Sequence, residues 1–210
     1  MPWSRAAVIV AHPDDETLWA GGLMLSNPAC QWFIAALCRG SDPDRAPRFS
    51  RMLESLSARG AMADLDDSPE QSPLSIPVVQ STLLNLLPAR SYDLILTHAP
   101  RGEYTRHRRH EEVSQAVVAL WQQGTLVSPL LGMFAYEDNH GQTLPRSIST
   151  AHLVQPLPED ILQKKERLIR EVYGFSPESW EARTTPGIEA FWLFDSREAL
   201  ASWIQERGSH

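Results

Sequence analysis

His12-Pro13-Asp14-Asp15-Glu16 puts one imidazole and three carboxylates into five consecutive residues. Imidazole nitrogen and carboxylate oxygen are the donors that hold divalent ions such as zinc. A carboxylate left off the ion but beside it can move protons. If the segment is already helix-like, His12 and Asp15, three apart, point the same way, and Asp14 is rotated off that face. Two of these residues could then hold an ion while the third stays free. Helix capping would account for one acidic residue here, but for neither three in a row nor the histidine before them. A zinc site still needs a third protein ligand.

A second cluster, His98 to Glu112, supplies candidates. Val113, Ala116, Val117, Leu120 and Trp121 recur at helical spacing, which predicts a helix from about Arg108 with its apolar stripe turned to the core. His110 lies three residues before Val113 and so on the inner face. His107, three earlier again, lines the same crevice. Tyr104 sits in the loop before this helix, where its hydroxyl could donate to a developing oxyanion. His140, His152 and His210 stand alone and read as satisfied or solvated side chains.

The pairing of Ala11-His-Pro-Asp-Asp-Glu16 with His107-x-x-His110 resembles the PIG-L/LmbE-like family of zinc-dependent N-acetylglucosaminyl deacetylases. Arg51 with Glu54, Tyr136-Glu137, Lys164 to Tyr173 and Gly187 to Phe191 are similar to later parts of that family, so the likeness runs along nearly the whole chain. The resemblance implies that His12, Asp15 and His110 bind zinc, Asp14 is the general base, His107 stabilises or protonates the reacting centre, and Arg51 reaches the substrate. It also implies removal of an N-acetyl group from an N-acetylglucosamine-type amino-sugar conjugate. In that chemistry zinc with three protein ligands leaves a position for a water whose pKa falls toward about 7. Ferrous iron suits the same donors. Two further readings stay open: hydrolysis of an N-acyl amide on a non-sugar metabolite, and a metal- or sugar-binding module with little turnover. One departure stands out. Many relatives read His-Pro-Asp-His where this chain reads His107-Arg-Arg-His110. An arginine turned inward would lower the pKa of His107 or hold an anionic substrate group. Turned outward, Arg108 and Arg109 would lie on a solvated helix face.

The elements that must position these residues follow from hydropathy. Apolar runs at 6–11, 32–38, 93–97 and 130–136 alternate with helical patterns at about 15–26, 48–61, 109–123 and 158–173. That alternation predicts βαβ units, hence a three-layer, Rossmann-like α/β fold with a largely parallel sheet, and one domain over residues 1–210. Both clusters then lie where a strand ends, the edge at which open α/β sheets bind ligands. Segments 64–77 and 138–147 read as loops, and 197–206 as a final amphipathic helix. Gly21-Gly22 falls inside a helix rather than in a phosphate-cradling turn, so no dinucleotide is expected.

A net charge of −7 argues against nucleic acid as a partner; the partner that the resemblance implies is a small-molecule amino sugar. No apolar stretch approaches the roughly 18 residues of a membrane span, and the start lacks a signal-peptide pattern, so a cytoplasmic location is expected. Cys30 and Cys38 form no disulfide framework, and Cys38 reads as a buried apolar residue. A homo-oligomer is compatible with the sequence, which carries no readable interface signature.

Overall fold

A computed structural model describes residues 3–104 and 106–208. Its first half is a run of strand-helix units: β1 (Arg5–Val10), α1 (Asp15–Ser26), β2 (Gln31–Ala36), α2 (Arg45–Ser55), β3 (Arg59–Met62), α3 (Ile76–Leu86), β4 (Leu94–Thr97), α4 (Arg108–Gln122) and β5 (Leu131–Phe134). A small hairpin follows, β6 (Tyr136–Glu137) and β7 (Arg146–Ser147), and then β8 (Leu153–Pro156). Next come α5 (Glu159–Arg167) running into a π-helical turn at Leu168–Val172, α6 (Trp180–Thr184), β9 (Ile188–Phe194) and α7 (Arg197–Gly208).

The main sheet has the order β3-β2-β1-β4-β5-β9-β8. The first five strands pair in parallel, as the alternation predicts, while β9 runs antiparallel to both β5 and β8. Residues of β1 alternate between two cores because successive side chains leave opposite faces of a strand. Ala6, Val8 and Val10 pack with Leu18, Trp19, Phe49, Met52 and Ile169 beneath α1, α2 and the π-helical turn. Ala7 and Ile9 pack with Val79, Leu83, Val113, Val117 and Leu200 of α3, α4 and α7. The result is the expected three-layer α/β fold.

After β1 the chain first builds outward through β2 and β3, then returns to place β4 on β1's other side. The connections therefore diverge between β1 and β4, and a crevice opens at their carboxyl ends. The two histidine-bearing clusters follow these two strands.

Helix α1, which carries the acidic cluster at its start, is held from behind. The Glu189 carboxylate of β9 accepts from the backbone N–H groups of Gly22 and Leu23, each at 2.7 Å, and from Lys165 Nζ, also at 2.7 Å. Burial pushes the Lys165 ammonium down, and Glu189 opposes that push. Gly22 suits this close packing, since a Cβ there would meet the Leu157 side chain at 2.4 Å.

Three expectations need correction. The helix expected over 48–61 ends at Ser55, and Arg59–Met62 forms β3 instead. The loop expected over 64–77 gives way to α3 at Ile76, where Pro77 sits in the first helical turn. The helix expected over 158–173 changes to a π-helical turn at Leu168. Both cysteines are free and buried. Among the described residues no helix is long and apolar enough to cross a membrane. His210 lies outside the described residues.

Candidate metal centre

His12 leaves the end of β1, Asp15 opens α1 and His110 lies in the first turn of α4. The fold brings three of their atoms to one point. His12 Nδ1 stands 3.2 Å from Asp15 Oδ2 and 3.2 Å from His110 Nε2, and the last two are 3.3 Å apart. A divalent ion with bonds of about 2.0–2.2 Å separates neighbouring donors by about 3 Å in an octahedral set and about 3.5 Å in a tetrahedral one. The triangle therefore has the size of a ligand set.

The protons around it agree. His12 Nε2 faces Asp67 Oδ1 at 3.1 Å and His110 Nδ1 faces Glu103 Oε2 at 2.8 Å. Each ring thus spends its N–H on a carboxylate and turns the lone pair of its other nitrogen inward, as metal-binding histidines do. Two nitrogen lone pairs and a carboxylate oxygen converging on one point call for a cation. Burial pushes the His110 pKa down, but Asp15 and Glu103 overcome it and hold the group up at about 10. A proton takes the place of the positive charge the site demands.

His98 looks like a fourth ligand and is not one. Its ring stacks on His110 with centroids 3.9 Å apart, but its Nε2 accepts the Ala11 N–H at 2.9 Å. That leaves Nδ1 to donate to Glu103 Oε2 at 2.9 Å, while Glu103 Oε1 accepts the Ala99 N–H at 3.0 Å. Burial, then the neighbouring His110, pushes the His98 pKa down. Glu103 is thus a positioning residue that sequence reasoning missed, although it lies within the second cluster. Asp67, in the loop after β3, is a second one. Arg39 holds its other oxygen at 2.7 Å.

Asp14 is separate from the triangle. Its backbone has φ 124° and ψ −31°, a conformation few non-glycine residues adopt. Its carbonyl accepts from Thr17 and Leu18 at the head of α1, but its side chain makes no cap. The capping account thus fails for this carboxylate. The strained turn is tied from outside: Glu16 Oε2 accepts the Asp14 N–H at 3.0 Å, and Glu16 Oε1 accepts the Tyr173 hydroxyl at 2.7 Å. Tyr173 directly follows the π-helical turn, consistent with π-turns marking functional regions. Burial, with Asp15 adding to it, pushes the Asp14 pKa well up, and Arg45, 2.9 Å from Oδ2, restrains the rise.

A cleft of about 330 Å³ opens over these groups, lined among others by Asp14, Arg39, Arg45, Tyr104, His107 and Trp180. His107 reaches it with its ring centroid 4.7 Å from His12 and 4.5 Å from His110. Its Nδ1 is buried and makes no hydrogen bond among the described residues. Burial, then His110 and His12, pushes its pKa down to about 3. The main causes of that shift do not include the arginines between the histidines. Arg108 is exposed, whereas Arg109 is fully buried and bonds Glu112, the Asp66 carbonyl and, at 2.9 Å, the Ser72 carbonyl. It pins the loop that carries Asp67, and so is neither solvated nor at the cleft mouth. Tyr104 lines the cleft beside Trp180, at 4.7 Å between ring centroids. Arg51 does not reach it: it is exposed on α2, and Arg45, two turns earlier, enters the cleft instead.

No protein-family profile matches the chain. The uncharacterised protein L374 of Acanthamoeba polyphaga mimivirus is 26% identical over 184 residues, covering 80% of this chain and 75% of that one. Among solved structures, the fold matches N,N'-diacetylchitobiose deacetylase from Pyrococcus horikoshii with a TM-score of 0.68 at 16% identity, over 92% of this chain and 84% of that one. It matches a zinc-inhibited form of a teicoplanin deacetylase at 0.62 and 12% identity, over 90% and 97% of the two chains. It also matches a 4-carboxy-2-hydroxymuconate hydratase from Pseudomonas putida at 0.59 and 16% identity, over 98% and 88%. These likenesses establish the α/β fold, and the same fold evidently serves more than one reaction.

Proposed function

We propose that this protein is a divalent-metal-dependent hydrolase that removes the N-acetyl group from an N-acetylglucosamine-type amino-sugar conjugate. The observation that carries the reading is the convergence of His12 Nδ1, Asp15 Oδ2 and His110 Nε2 beside a carboxylate, Asp14, that takes no part in it. The motif resemblance and the deacetylases among the structures of like fold support the choice of an N-acetyl substrate.

His12, Asp15 and His110 would hold the ion, zinc or ferrous iron. When bound, such an ion makes water acidic enough to react near neutral pH and polarises an amide carbonyl. Asp14 accepts a proton as the water oxygen adds to the carbonyl carbon, then delivers that proton to the nitrogen as the C–N bond breaks. Acetate and a free amine leave. Its raised pKa suits a group that must both take and return a proton. His107, with a pKa of about 3, is neutral at the working pH and serves by donating an N–H to the oxyanion rather than as an acid. Arg45 holds the Asp14 carboxylate in place.

Metal analysis of the purified protein, with acetate release from N,N'-diacetylchitobiose before and after chelation, tests the reading. About one ion per chain is expected, with release that stops on chelation and returns on adding zinc. Asp14→Asn is expected to keep the ion and lose about 10²–10⁴-fold in turnover. Bound metal with no release from any N-acetyl amino sugar would overturn the deacetylase assignment and favour a different reaction at the metal; a hydratase is among the structures of like fold.

A further inference from the structure

Trp180 is a large apolar residue that the fold leaves 37% exposed, and among the described residues it alone of the exposed large hydrophobics lines the metal cleft. Its backbone is fixed. It opens α6, whose start is capped by Ser179 Oγ accepting the Ala182 N–H at 3.1 Å, and Ala182 is buried in the core. Its ring is braced by Tyr104 at 4.7 Å and an interplanar angle of 61°, and by Trp19 at 6.5 Å and 70°. Edge-to-face contacts of this kind fix the orientation of a ring, and the exposure of Trp180 shows that they leave part of it open. Trp19 is itself fully buried, and its Nε1 donates to Asp15 Oδ1 at 3.3 Å. One side chain thus steadies a candidate metal ligand and backs the exposed ring, which sets the spacing between the two.

We propose that Trp180, braced by Tyr104 and Trp19, is the platform on which the pyranose ring of an amino-sugar substrate stacks, and that it selects ring-bearing over linear N-acetyl amines. The proposal rests on the deacetylase reading above. A pyranose offers a flat face of carbon-bound hydrogens and an edge of hydroxyls. The cleft offers the complement: an aromatic wall with Arg39, Asp67 and Glu181 around it. A linear N-acyl amine has no face to lay against Trp180. A purely aromatic amine would stack, yet bring no hydroxyls to exchange hydrogen bonds with the polar rim of the cleft. The volume of about 330 Å³ is near the lower bound for small-molecule pockets, about 300 Å³, and suits one or two sugar rings.

The test uses the full chain loaded with zinc. N,N'-diacetylchitobiose is titrated calorimetrically into Asp14→Asn, and into Asp14→Asn carrying Trp180→Ala, Trp180→Leu or Trp180→Phe. Kinetics of the same Trp180 variants are measured with Asp14 intact. Removal of the aromatic face, by Ala or by the bulk-preserving Leu, is expected to weaken binding about 10-fold, with Phe restoring most of it. The loss should fall on KM more than on kcat, with zinc per chain at the parent level. Equal affinity in the Leu variant and its parent would overturn the platform even where acetate release continues. So would equal kcat/KM for the sugar and a linear N-acetyl amine. No acetate release by the unaltered protein, with sugar binding still lost in the Leu variant, would remove the deacetylase reading and keep the sugar platform.

Discussion

The two histidines of the metal triangle are supported by the same device in different surroundings. His110 and Glu103 have side chains with no exposure at all, and Glu103 also receives His98 and the Ala99 N–H. His12 and Asp67 sit at the rim with side chains 15% and 8% exposed, and Asp67 leans on Arg39, which is 46% exposed. A hydrogen bond to a charged group is worth more where water cannot compete, and costs more to leave unmade. The floor of the site is therefore preorganised by burial, while the rim is steadied by a partly screened ion-pair chain. The comparison teaches that equal bonding patterns need not carry equal weight.

The largest effect is expected from the floor ligand itself. His110→Ala should leave less than about a tenth of the parent's metal per chain, read by elemental analysis after dialysis, and with it all acetate release. Full metal content would mean that the triangle is not the site.

Glu103→Gln is expected next. An amide has only one acceptor oxygen, so it cannot accept from both rings and also from the Ala99 N–H: whichever way it turns, its NH2 faces a donor, and a ring or the loop must shift. Zinc affinity, measured against a competing chelator, should fall about 10–100-fold. Asp67→Asn should cost less, under about 10-fold, because Asp67 is nearer solvent and Gln71 Nε2 already shares its oxygen at 3.0 Å. A loss as large for Asp67 as for Glu103 would break the floor-and-rim distinction.

The smallest effect sharpens the same point through pH. In the metal-free protein His110 holds its proton up to about 10, against 6.5 for an ordinary histidine. A pKa raised by folding contributes stability that is fully present below about 6.5 and lost as pH climbs toward 10. The melting temperature of metal-free protein should therefore fall by a few degrees over that range. Zinc-loaded protein should not show the fall, since the ion replaces the proton. Parallel curves for the two forms would contradict the charge balance argued for the floor.

Much of this could be read along the chain. Strands β1, β2, β4 and β5 come from short apolar runs, and α1 and α4 from 3.6-residue periodicity, so both histidine clusters were placed at strand ends. β3 was hidden because Arg59–Met62 is a four-residue edge strand with half-exposed side chains and no apolar run. With β3 unseen, the loop after it had no position, and Asp67 no reason to meet His12. α3 was missed although Val79 and Leu83 fall four apart on its buried face, because Pro73, Pro77 and the Asp- and Ser-rich stretch before them read as loop, and the antiparallel β9 because its run follows no helix of a βαβ unit. Arg109 reads as a surface cation on composition, yet it is the buried pin of the loop that carries Asp67.

The sequence by itself determined the chemical types: a histidine with three acidic residues after one strand, and two inward histidines at the start of a helix after another. Those depend on local rules, the period of a helix and the exit of a strand. The tertiary structure alone decided that β1 and β4 are neighbours, that three donors meet within 3.3 Å, and that Glu103, Asp67, Arg45 and Trp180 surround them. The physical reason is separation along the chain. Trp180 and His12 are linked by no periodicity, only by the packing of α6 and Trp19 on one face of the sheet.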